Sequence, residues 1–466
     1  MAMGKRAQGK QDGLFVATSA LVKSPGHPFY EKLNEVLSAE GFDAFAEARS
    51  APYYAKKLGR PSIPPGVYFR MLMIGYYEGL ESERGIDWRV SDSLSLRRFL
   101  GYGLDEETPD HSSLSRTRHR LPAEIHTEIF NWALRVLGKA DLVKGKTVGV
   151  DATTLEANAA MRSIVRQDTG ETYQAFLERL AKASGMETPT REDLAKLDKK
   201  RPKKASNKDW EHPHDPDARI TKMKDGRTHL AHKVEHVVDL ETDAILAVTL
   251  AAADEGDTES LPWTLLRAEV NLERVALDEQ ARKHLRDKPL SEVVADKGYH
   301  SNDSLVNLKE SKMRTYISEP DRGRRKWDGK KEAQAAVYAN RRRIKGNRGQ
   351  ALRRARAEKV ERSFAHAYET GEMRRLHLRE RGNILKRLLI HDAARNLGLL
   401  LRKLVGVGTP KGLQGAISGL QDILVAIKVR LRQLSRPWRL FHLILSASTF
   451  VGSLHCGLQV KTLGTH

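Results

Sequence analysis

The stretch that decides the fold is Lys146–Asn158, KTVGVDATTLEAN. Its first residues, Thr147 to Val150, are small or β-branched, a pattern typical of a buried strand. The strand is predicted to end at a carboxylate, Asp151, which two threonines follow closely. Because a lone aspartate after a strand often only caps a turn, Asp151 needs partners before it indicates chemistry.

Two later acids supply such partners. Asp296 ends a second β-branched run, SEVVADKGYH, and Glu361 lies in a basic segment with helical spacing, RRARAEKVERSFAH. Three carboxylates from separate elements can converge on a pair of divalent cations, which phosphodiester cleavage and transfer need. Mg²⁺ prefers carboxylate and water oxygens over imidazole or thiolate. Glu358, one helical turn before Glu361, is the alternative third acid.

The order strand-Asp, strand-Asp, helix-Glu resembles that of DDE transposases on the ribonuclease-H-like fold. The blocks VGVDATTLEAN, VVADKGY, VERSFAHAYETGEMRR and NILKRLLIHDAARNLGLLLR resemble bacterial insertion-sequence transposases, as does the N-terminal RPSIPPGVYFRMLMIGYYEGLESERGI. The likeness covers residues 15–410. Some relatives carry a Tyr-x2-Arg-x3-Glu-x6-Lys signature around the third acid. Here Arg354, Ala357 and Tyr368 take those places, so the signature's roles do not carry over.

The resemblance implies an α/β protein with a ribonuclease-H-like mixed-sheet catalytic core, an N-terminal helical domain of helix-turn-helix type, and polar insertions. Asp151 would bridge two Mg²⁺ ions, Asp296 would bind one and Glu361 the other, and Mn²⁺ could substitute. The enzyme would bind the terminal inverted repeats of an insertion sequence, cut there and join the ends to target DNA, as a homodimer or larger assembly. The alternatives are a nuclease of the same fold without strand transfer, and a catalytically inactive DNA-binding product.

Composition also favours a nucleic-acid partner. Lys and Arg number 80 against 60 acids, which gives a net charge of +20. The polar N-terminus and the mean hydropathy of −0.53 argue against a signal peptide and a membrane protein, so a cytoplasmic, nucleoid-associated protein is expected. The uncharged stretch Leu440–Leu458 contains two histidines, which argues against a membrane span. With a single cysteine, Cys456, no intramolecular disulfide can form.

Composition shifts predict the domain organisation. The predicted parts are a flexible tail (1–14), a helical DNA-binding domain (15–140), a catalytic domain (141–404) and a linker with a C-terminal tail (405–466). Inside the catalytic domain we expect a polar insertion at about 159–228 and a basic segment at 312–387. Histidines within and just after the insertion invite a zinc site, but their irregular spacing favours structural or solvent roles; they are His212, His214, His229, His232 and His236.

Two arginine-rich segments are candidate DNA contacts. HSSLSRTRHRL reads as a short helix capped by Asp110 or Ser112, either a recognition helix or a solvated basic face. The segment 312–387 holds 24 Lys/Arg and 9 Asp/Glu around Glu361, which favours a phosphate-binding channel over a solvated face. The predicted DNA-contacting residues are Arg116, Arg118 and Arg120 in the first segment and Arg341, Arg342, Arg343 and Arg354 in the second.

Overall fold

The computed structural model describes residues 26–413, apart from 56–58, 60, 202–204, 224 and 324. The predicted tail 1–14 and the stretch Leu440–Leu458 lie outside the described residues. The chain divides into two compact units after Gly408, and the elements below belong to the first unit. Among the described residues, no helix is long and apolar enough to cross a membrane.

The first unit is mixed α/β. Its helices are α1 (Pro28–Ala39), α2 (Phe42–Ser50), α3 (Pro65–Glu78), α4 (Glu83–Ser91), α5 (Leu94–Leu100), α6 (His111–Arg120), α7 (Ala123–Lys139), α8 (Tyr173–Ala183), α9 (Arg191–Lys200), α10 (Asp257–Ala276), α11 (Glu279–Arg282), α12 (Asn302–Glu310), α13 (Lys331–Lys345), α14 (Asn347–Ala365) and α15 (Arg381–Val405). Its strands are β1 (Thr147–Glu156), β2 (Val165–Arg166), β3 (Trp210–Glu211), β4 (Arg219–Lys222), β5 (Thr228–Asp239), β6 (Ile245–Ala252), β7 (Glu292–Ala295) and β8 (Arg314–Ile317).

The main sheet has six strands in the order β4-β5-β1-β7-β8, with β6 also paired to β5. β5 is antiparallel to β1, β4 and β6, whereas β1, β7 and β8 run parallel. Along the chain, three strands, a helix, a strand, a helix and a strand follow one another as β1, β5, β6, α10, β7, α12 and β8. The mixed α/β class predicted from the sequence is confirmed.

Strand β1 is longer than predicted. It continues past Asp151 to Glu156, because the 12-residue β5 pairs with it from Val148 to Glu156. The pairing with β7, in contrast, stops at Gly149. Asp151 thus lies inside a strand, at the point where the neighbouring parallel strand ends, and its predicted position at the end of its own strand is wrong.

The N-terminal helices form where the sequence predicts them. α3 begins at Pro65, after the prolines that precede its apolar run. α6 begins after Asp110, whose carboxylate accepts a hydrogen bond from Ser113 N at 2.6 Å, so Asp110 is the cap. These helices and the sheet belong to the same compact unit.

Helix α15 has no solvent-facing polar side over most of its length. Its residues are buried on all faces from Asn383 to Leu401, polar ones included, because it contacts α3 and α7 as well as β6. The Asn396 side chain donates to Ile245 O at 2.8 Å and accepts from Ile245 N at 3.0 Å, which fixes the helix to β6. A polar face on a long helix need not face solvent when hydrogen-bond partners surround it.

The predicted insertion contains more structure than its composition suggests. Besides the expected helix at α8 it holds α9, a two-stranded β2–β3 sheet, and β4, which extends the main sheet at Arg219–Lys222. Trp210 and Leu230 belong to one small apolar cluster there, and Leu177 and Leu194 to another. A charged segment can therefore still fold when a few apolar residues bury together.

Candidate active site

Asp151 and Asp296 are neighbours in the sheet. In the parallel β1–β7 pair, Gly149 lies opposite Val294, so two residues further along Asp151 lies next to Asp296. The two-residue alternation of a strand puts both on the face where Gly149 and Val294 point. Burial is the main cause of the raised pKa of Asp151, and the negative charge of Asp296 adds to it. The structure therefore brings two of the three predicted acids together.

Both carboxylate oxygens of Asp151 have protein partners. Oδ1 accepts a hydrogen bond from Ala152 N at 2.9 Å, and Oδ2 accepts one from Arg356 Nη1 at 2.6 Å. Burial raises the pKa of Asp151, while Arg356 and the Ala152 N–H oppose that rise. The guanidinium of Arg356 thus stabilises the charged form of Asp151 where little solvent reaches it.

Asp296 ends β7 and begins a tight turn. Its Oδ1 accepts a hydrogen bond from Gly298 N at 2.8 Å, at the start of the short 3₁₀ helix Lys297–Tyr299. A Cβ on Gly298 would lie 2.3 Å from Asp257 Oδ2 and 3.1 Å from Asp296 Oδ1. Only glycine fits between these two carboxylates, so Asp257, the first residue of α10, is a further acid beside the turn.

Glu361 lies on α14, which packs across β1. Gly149 makes this close approach possible, since a Cβ there would lie 2.9 Å from Val360 Cγ2 and 3.1 Å from Arg356 Cγ. Glu361 follows Val360 and is rotated from it by about 100° around the helix, where it is exposed. The alternative third acid, Glu358, is also exposed and forms an ion pair with Arg362.

The orientation of α14 decides which flank carries Glu361. Lys359 Nζ donates to Glu241 O at 3.3 Å, and Arg362 Nη1 donates to Asp243 Oδ2 at 3.1 Å, both at the β5–β6 turn. Since Glu361 lies on the opposite flank of the helix, it faces away from that turn. This is the side on which β7 follows β1 in the sheet.

The three acids do not form a complete metal site in this conformation. Within the described part of the chain, no group of three or more His, Cys, Asp or Glu side chains is placed to hold a metal ion. Carboxylate oxygens have the donor chemistry that Mg²⁺ prefers, and Asp151 and Asp296 supply them side by side. Glu361 would have to approach before all three acids share a cation.

A buried polar network that the sequence did not suggest lies on the other face of β5. Lys233 Nζ bonds to Glu235 at 3.1 Å, to Asp257 at 2.7 Å and to Ser260 Oγ at 2.9 Å. Glu235 also accepts from Tyr299 Oη at 3.1 Å, and burial followed by the charge of Glu235 raises the pKa of Tyr299. The network anchors the turn after Asp296. In the sequence, the charged residues Lys233 and Glu235 within the strand pattern of β5 were the feature that could have indicated this network.

The histidines do not form the zinc site that their number invited. His232 is fully buried and its Nε2 lies 3.2 Å from Asp215 Oδ2. His236 is also buried, bonds to Ser363 Oγ at 2.8 Å and stacks on Phe364. Because these partners are hydroxyl, carboxylate and aromatic groups of the core, the histidines that the structure buries have structural contacts.

The arginines of α6 fall into two classes. Arg116 and Arg120 are exposed, as a DNA contact requires. Arg118 is buried, and its Nε donates to Glu83 Oε1 at 2.8 Å, which holds α6 against α4. Its backbone oxygen also accepts from Lys386 Nζ at 2.9 Å. Two of the three predicted residues are therefore available at the surface.

The predicted DNA-contacting arginines of the basic segment also divide into those that bond to other protein groups and those that are exposed. Arg341 forms two hydrogen bonds to Glu319, at 2.6 and 2.9 Å, and Arg343 donates to Thr315 O at 2.8 Å. Arg342 and Arg354 are exposed. Consecutive residues on a helix point in different directions, so the side chains of three arginines in a row cannot all face one ligand.

Arg356, the partner of Asp151, was missed at the sequence level. It shares one face of α14 with Val360 and Ser363, and all three are buried against the sheet. The signal was its spacing of four from Val360, which places an arginine on an apolar face. The high positive charge of the segment favoured an interpretation in which its arginines face solvent or DNA.

Comparison with known proteins adds one match. Residues 17–120 match the family model of the transposase domain DUF772. The chain therefore carries a transposase domain. Among curated proteins, no significantly similar sequence is found. The match covers α1 to α6 and confirms the resemblance to insertion-sequence transposases seen in the sequence, while Asp151, Asp296 and Glu361 lie beyond the matched residues.

Proposed function

We propose that this transposase is of the DDE type and uses Asp151, Asp296 and Glu361. The observation that carries the proposal is that Asp151 and Asp296 lie side by side just beyond the last paired residues of two parallel strands, with Asp151 bonded to Arg356 on α14, the helix that also carries Glu361. Two neighbouring carboxylates repel each other, and a shared divalent cation would remove that repulsion.

The strand order supports a ribonuclease-H-like core. Read as β6-β5-β1-β7-β8, the sheet has three consecutive antiparallel strands followed by two parallel ones reached through helices. This is the arrangement that the resemblance to DDE transposases implies. In it the first strand is central, so Asp151 lies in the middle of the sheet.

The chemistry would depend on Mg²⁺, or Mn²⁺ in its place. Asp151, Asp296 and Glu361 would hold two ions, which supply an activated nucleophile and stabilise the leaving oxygen in phosphodiester cleavage and transfer. The hydrogen bond from Gly298 N holds the Asp296 carboxylate in place, so this ligand would need little reorganisation. The buried Lys233–Glu235 network keeps this edge rigid.

DNA would be the substrate and partner. The exposed Arg116 and Arg120 on α6 would contact the terminal inverted repeats, and Arg342 and Arg354 would contact phosphates near the acids. Joining two element ends to one target needs two active sites in one complex, so a homodimer or larger assembly would be the active form. The net charge of +20 favours each of these contacts.

The test is DNA cleavage by the full chain on duplexes that carry the inverted repeats flanking its reading frame. Asp151→Ala, Asp296→Ala and Glu361→Ala should each abolish cleavage in Mg²⁺ and leave DNA binding nearly intact. Glu358→Ala is the matched control, because Glu358 is exposed one turn before Glu361 and should be dispensable. Near-normal cleavage by any of the three variants would remove that residue from the site.

A second candidate is a DNA-binding product whose acids are structural. The ion pair between Arg356 and Asp151 favours it, since a carboxylate neutralised by a guanidinium needs no metal. This candidate predicts that wild-type protein binds the repeats but does not cut them with either Mg²⁺ or Mn²⁺. A nuclease without strand transfer would cut the repeats but not join them to a second DNA.

A further inference from the structure

The guanidinium of Arg356 already contacts the Asp151 carboxylate, which is the central ligand of the proposed metal site. Arg356 Nη1 lies 2.6 Å from Asp151 Oδ2, while the backbone N–H of Ala152 holds Oδ1 at 2.9 Å. A divalent cation at Oδ2 would stand beside the positive charge of Arg356 and be repelled. The two cations therefore compete for one oxygen.

In the part of the chain that the structure describes, the side chain of Arg356 has one hydrogen-bond partner, Asp151. Its side chain is 11% exposed, yet among the described residues its Nε has no hydrogen-bond partner. A guanidinium carries five N–H donors, and buried donors are normally satisfied. Arg118, which is similarly buried, donates from Nε to Glu83 and from Nη2 to Ser115 Oγ. The contact with Asp151 thus supplies most of what keeps Arg356 in place.

We propose that Arg356 is a built-in counter-cation that a divalent metal must displace from Asp151 before the site is loaded. The inference rests on the proposed function, because it takes Asp151 to be a metal ligand. While the pair is closed, Asp151 is neutralised and loading is opposed. Once the metal takes Oδ2, the guanidinium turns away on α14, the helix that also carries Glu361.

A purely positioning role for Arg356 makes the opposite prediction. In that role the guanidinium orients the Asp151 carboxylate for the metal, and its loss weakens metal binding. Competition predicts that its loss strengthens metal binding. The sign of the change in affinity therefore separates the two roles, and it can be measured without DNA and without catalysis.

The experiment is a titration of the full chain with Mn²⁺, followed by the electron paramagnetic resonance signal of the free ion. Arg356→Gln should bind Mn²⁺ roughly tenfold more tightly than wild type, since a charge-assisted hydrogen bond no longer opposes it. Arg353→Gln, a change at an exposed position on the same helix, should leave the affinity unchanged. Unchanged or weaker Mn²⁺ binding by Arg356→Gln would overturn the proposal.

Two more variants keep the test decisive. If Arg356→Gln does not fold, Arg356→Met removes the charge with an unbranched, adaptable apolar side chain, and tighter Mn²⁺ binding is again expected, with no gain counting against the proposal. Asp151→Asn distinguishes a failure of the proposed metal role of Asp151 from a failure of the proposed competition with Arg356. If it binds Mn²⁺ as wild type does, the metal role of Asp151 fails. If it loses binding while Arg356→Gln gains none, only the competition fails.

Discussion

Helices α6 and α14 each bury one arginine against a carboxylate, and the two ion pairs look alike in isolation. Arg118 lies 2.8 Å from Glu83, and Arg356 lies 2.6 Å from Asp151. All four side chains are largely buried. By distance and burial alone, neither pair could be identified as functional.

Their surroundings differ. Arg118 makes further bonds to Ser115, and Glu83 lies in the first turn of α4, where a negative charge is favoured by the helix dipole. Asp151 instead has a second carboxylate, Asp296, beside it, and Arg356 keeps an unpartnered Nε. The first pair is satisfied and fits a role in holding helices together. The second pair keeps unsatisfied groups, which is expected where a bound ligand would complete the contacts of the site.

The largest predicted effect is on stability. Glu83→Gln should lower the free energy of unfolding by about 3 kcal/mol, because it leaves Arg118 buried without its counter-charge. Asp151→Asn should cost less than about 1 kcal/mol, because the change also removes a buried charge and its repulsion with Asp296. Urea unfolding of the two variants measures the difference. Equal losses would mean that Asp151 is structural and would favour the inactive DNA-binding product.

The next prediction concerns acid sensitivity near Arg118. Burial lowers the pKa of His126 from 6.5 to about 3; its bond to the Pro122 carbonyl opposes this shift, and the charges of Lys386 and Arg118 reinforce it. Below pH 6.5 the unfolded chain takes up a proton that the folded chain refuses until about pH 3. Stability attributable to His126 should therefore fall as the pH drops through this window, by up to about 1.4 kcal/mol per pH unit.

His126→Gln should flatten this pH dependence, as measured by unfolding between pH 7 and pH 4. His119→Gln is the matched control, because His119 is exposed on α6. If both variants keep the wild-type dependence, the buried histidine is not what makes this region acid-sensitive.

A smaller effect is expected on DNA recognition by α6. Arg116→Ala combined with Arg120→Ala in the full chain should weaken binding to the terminal repeats about tenfold, and weaken binding to random DNA less, since base contacts carry the specificity. Arg84→Ala on α4 is an exposed control. Gel-shift titrations measure both affinities. An equal loss on the two DNAs would limit these arginines to phosphate contacts.

The smallest effect is on the salt dependence of DNA binding. The sequence predicts that neutralising Arg341, Arg342 and Arg343 together flattens the log–log slope by roughly two to three units. Because Arg341 and Arg343 are held by Glu319 and Thr315, the structure leaves about 0.9 of a unit, from Arg342 alone. Arg342→Ala measured across a salt series tests this, with Arg341→Ala as the control. No change in slope with Arg342→Ala would return the segment to a solvated face.

The sequence was sufficient for most strands of the main sheet and for placing Asp296 directly after one of them. Apolar and β-branched runs locate β5, β6, β7 and β8 because such runs bury well in a sheet. Asp296 follows one of these runs directly. The end of β1 was missed because its later residues are polar, and they are held in the strand by pairing with β5, which is a long-range effect.

The sequence could not show which arginines point inwards. Arg118 and Arg356 occur in runs rich in basic residues, and only tertiary packing assigns one member of each run to the core. Local charge counts treat all members alike, so they overestimated the arginines available to DNA. Pairing of Lys233 with Glu235 was hidden for the same reason, since a strand pattern does not reveal which helix covers it.

The most direct test of the account is to find where a metal binds. Fe²⁺ bound in place of Mg²⁺ generates hydroxyl radicals with ascorbate and peroxide, and these cut the polypeptide next to the metal. The account predicts cuts near Asp151, Asp296 and Glu361 in the full chain with DNA bound, and their loss in Asp151→Asn. Cuts confined to other parts of the chain, or the same cuts in Asp151→Asn, would contradict a metal site built on these three acids.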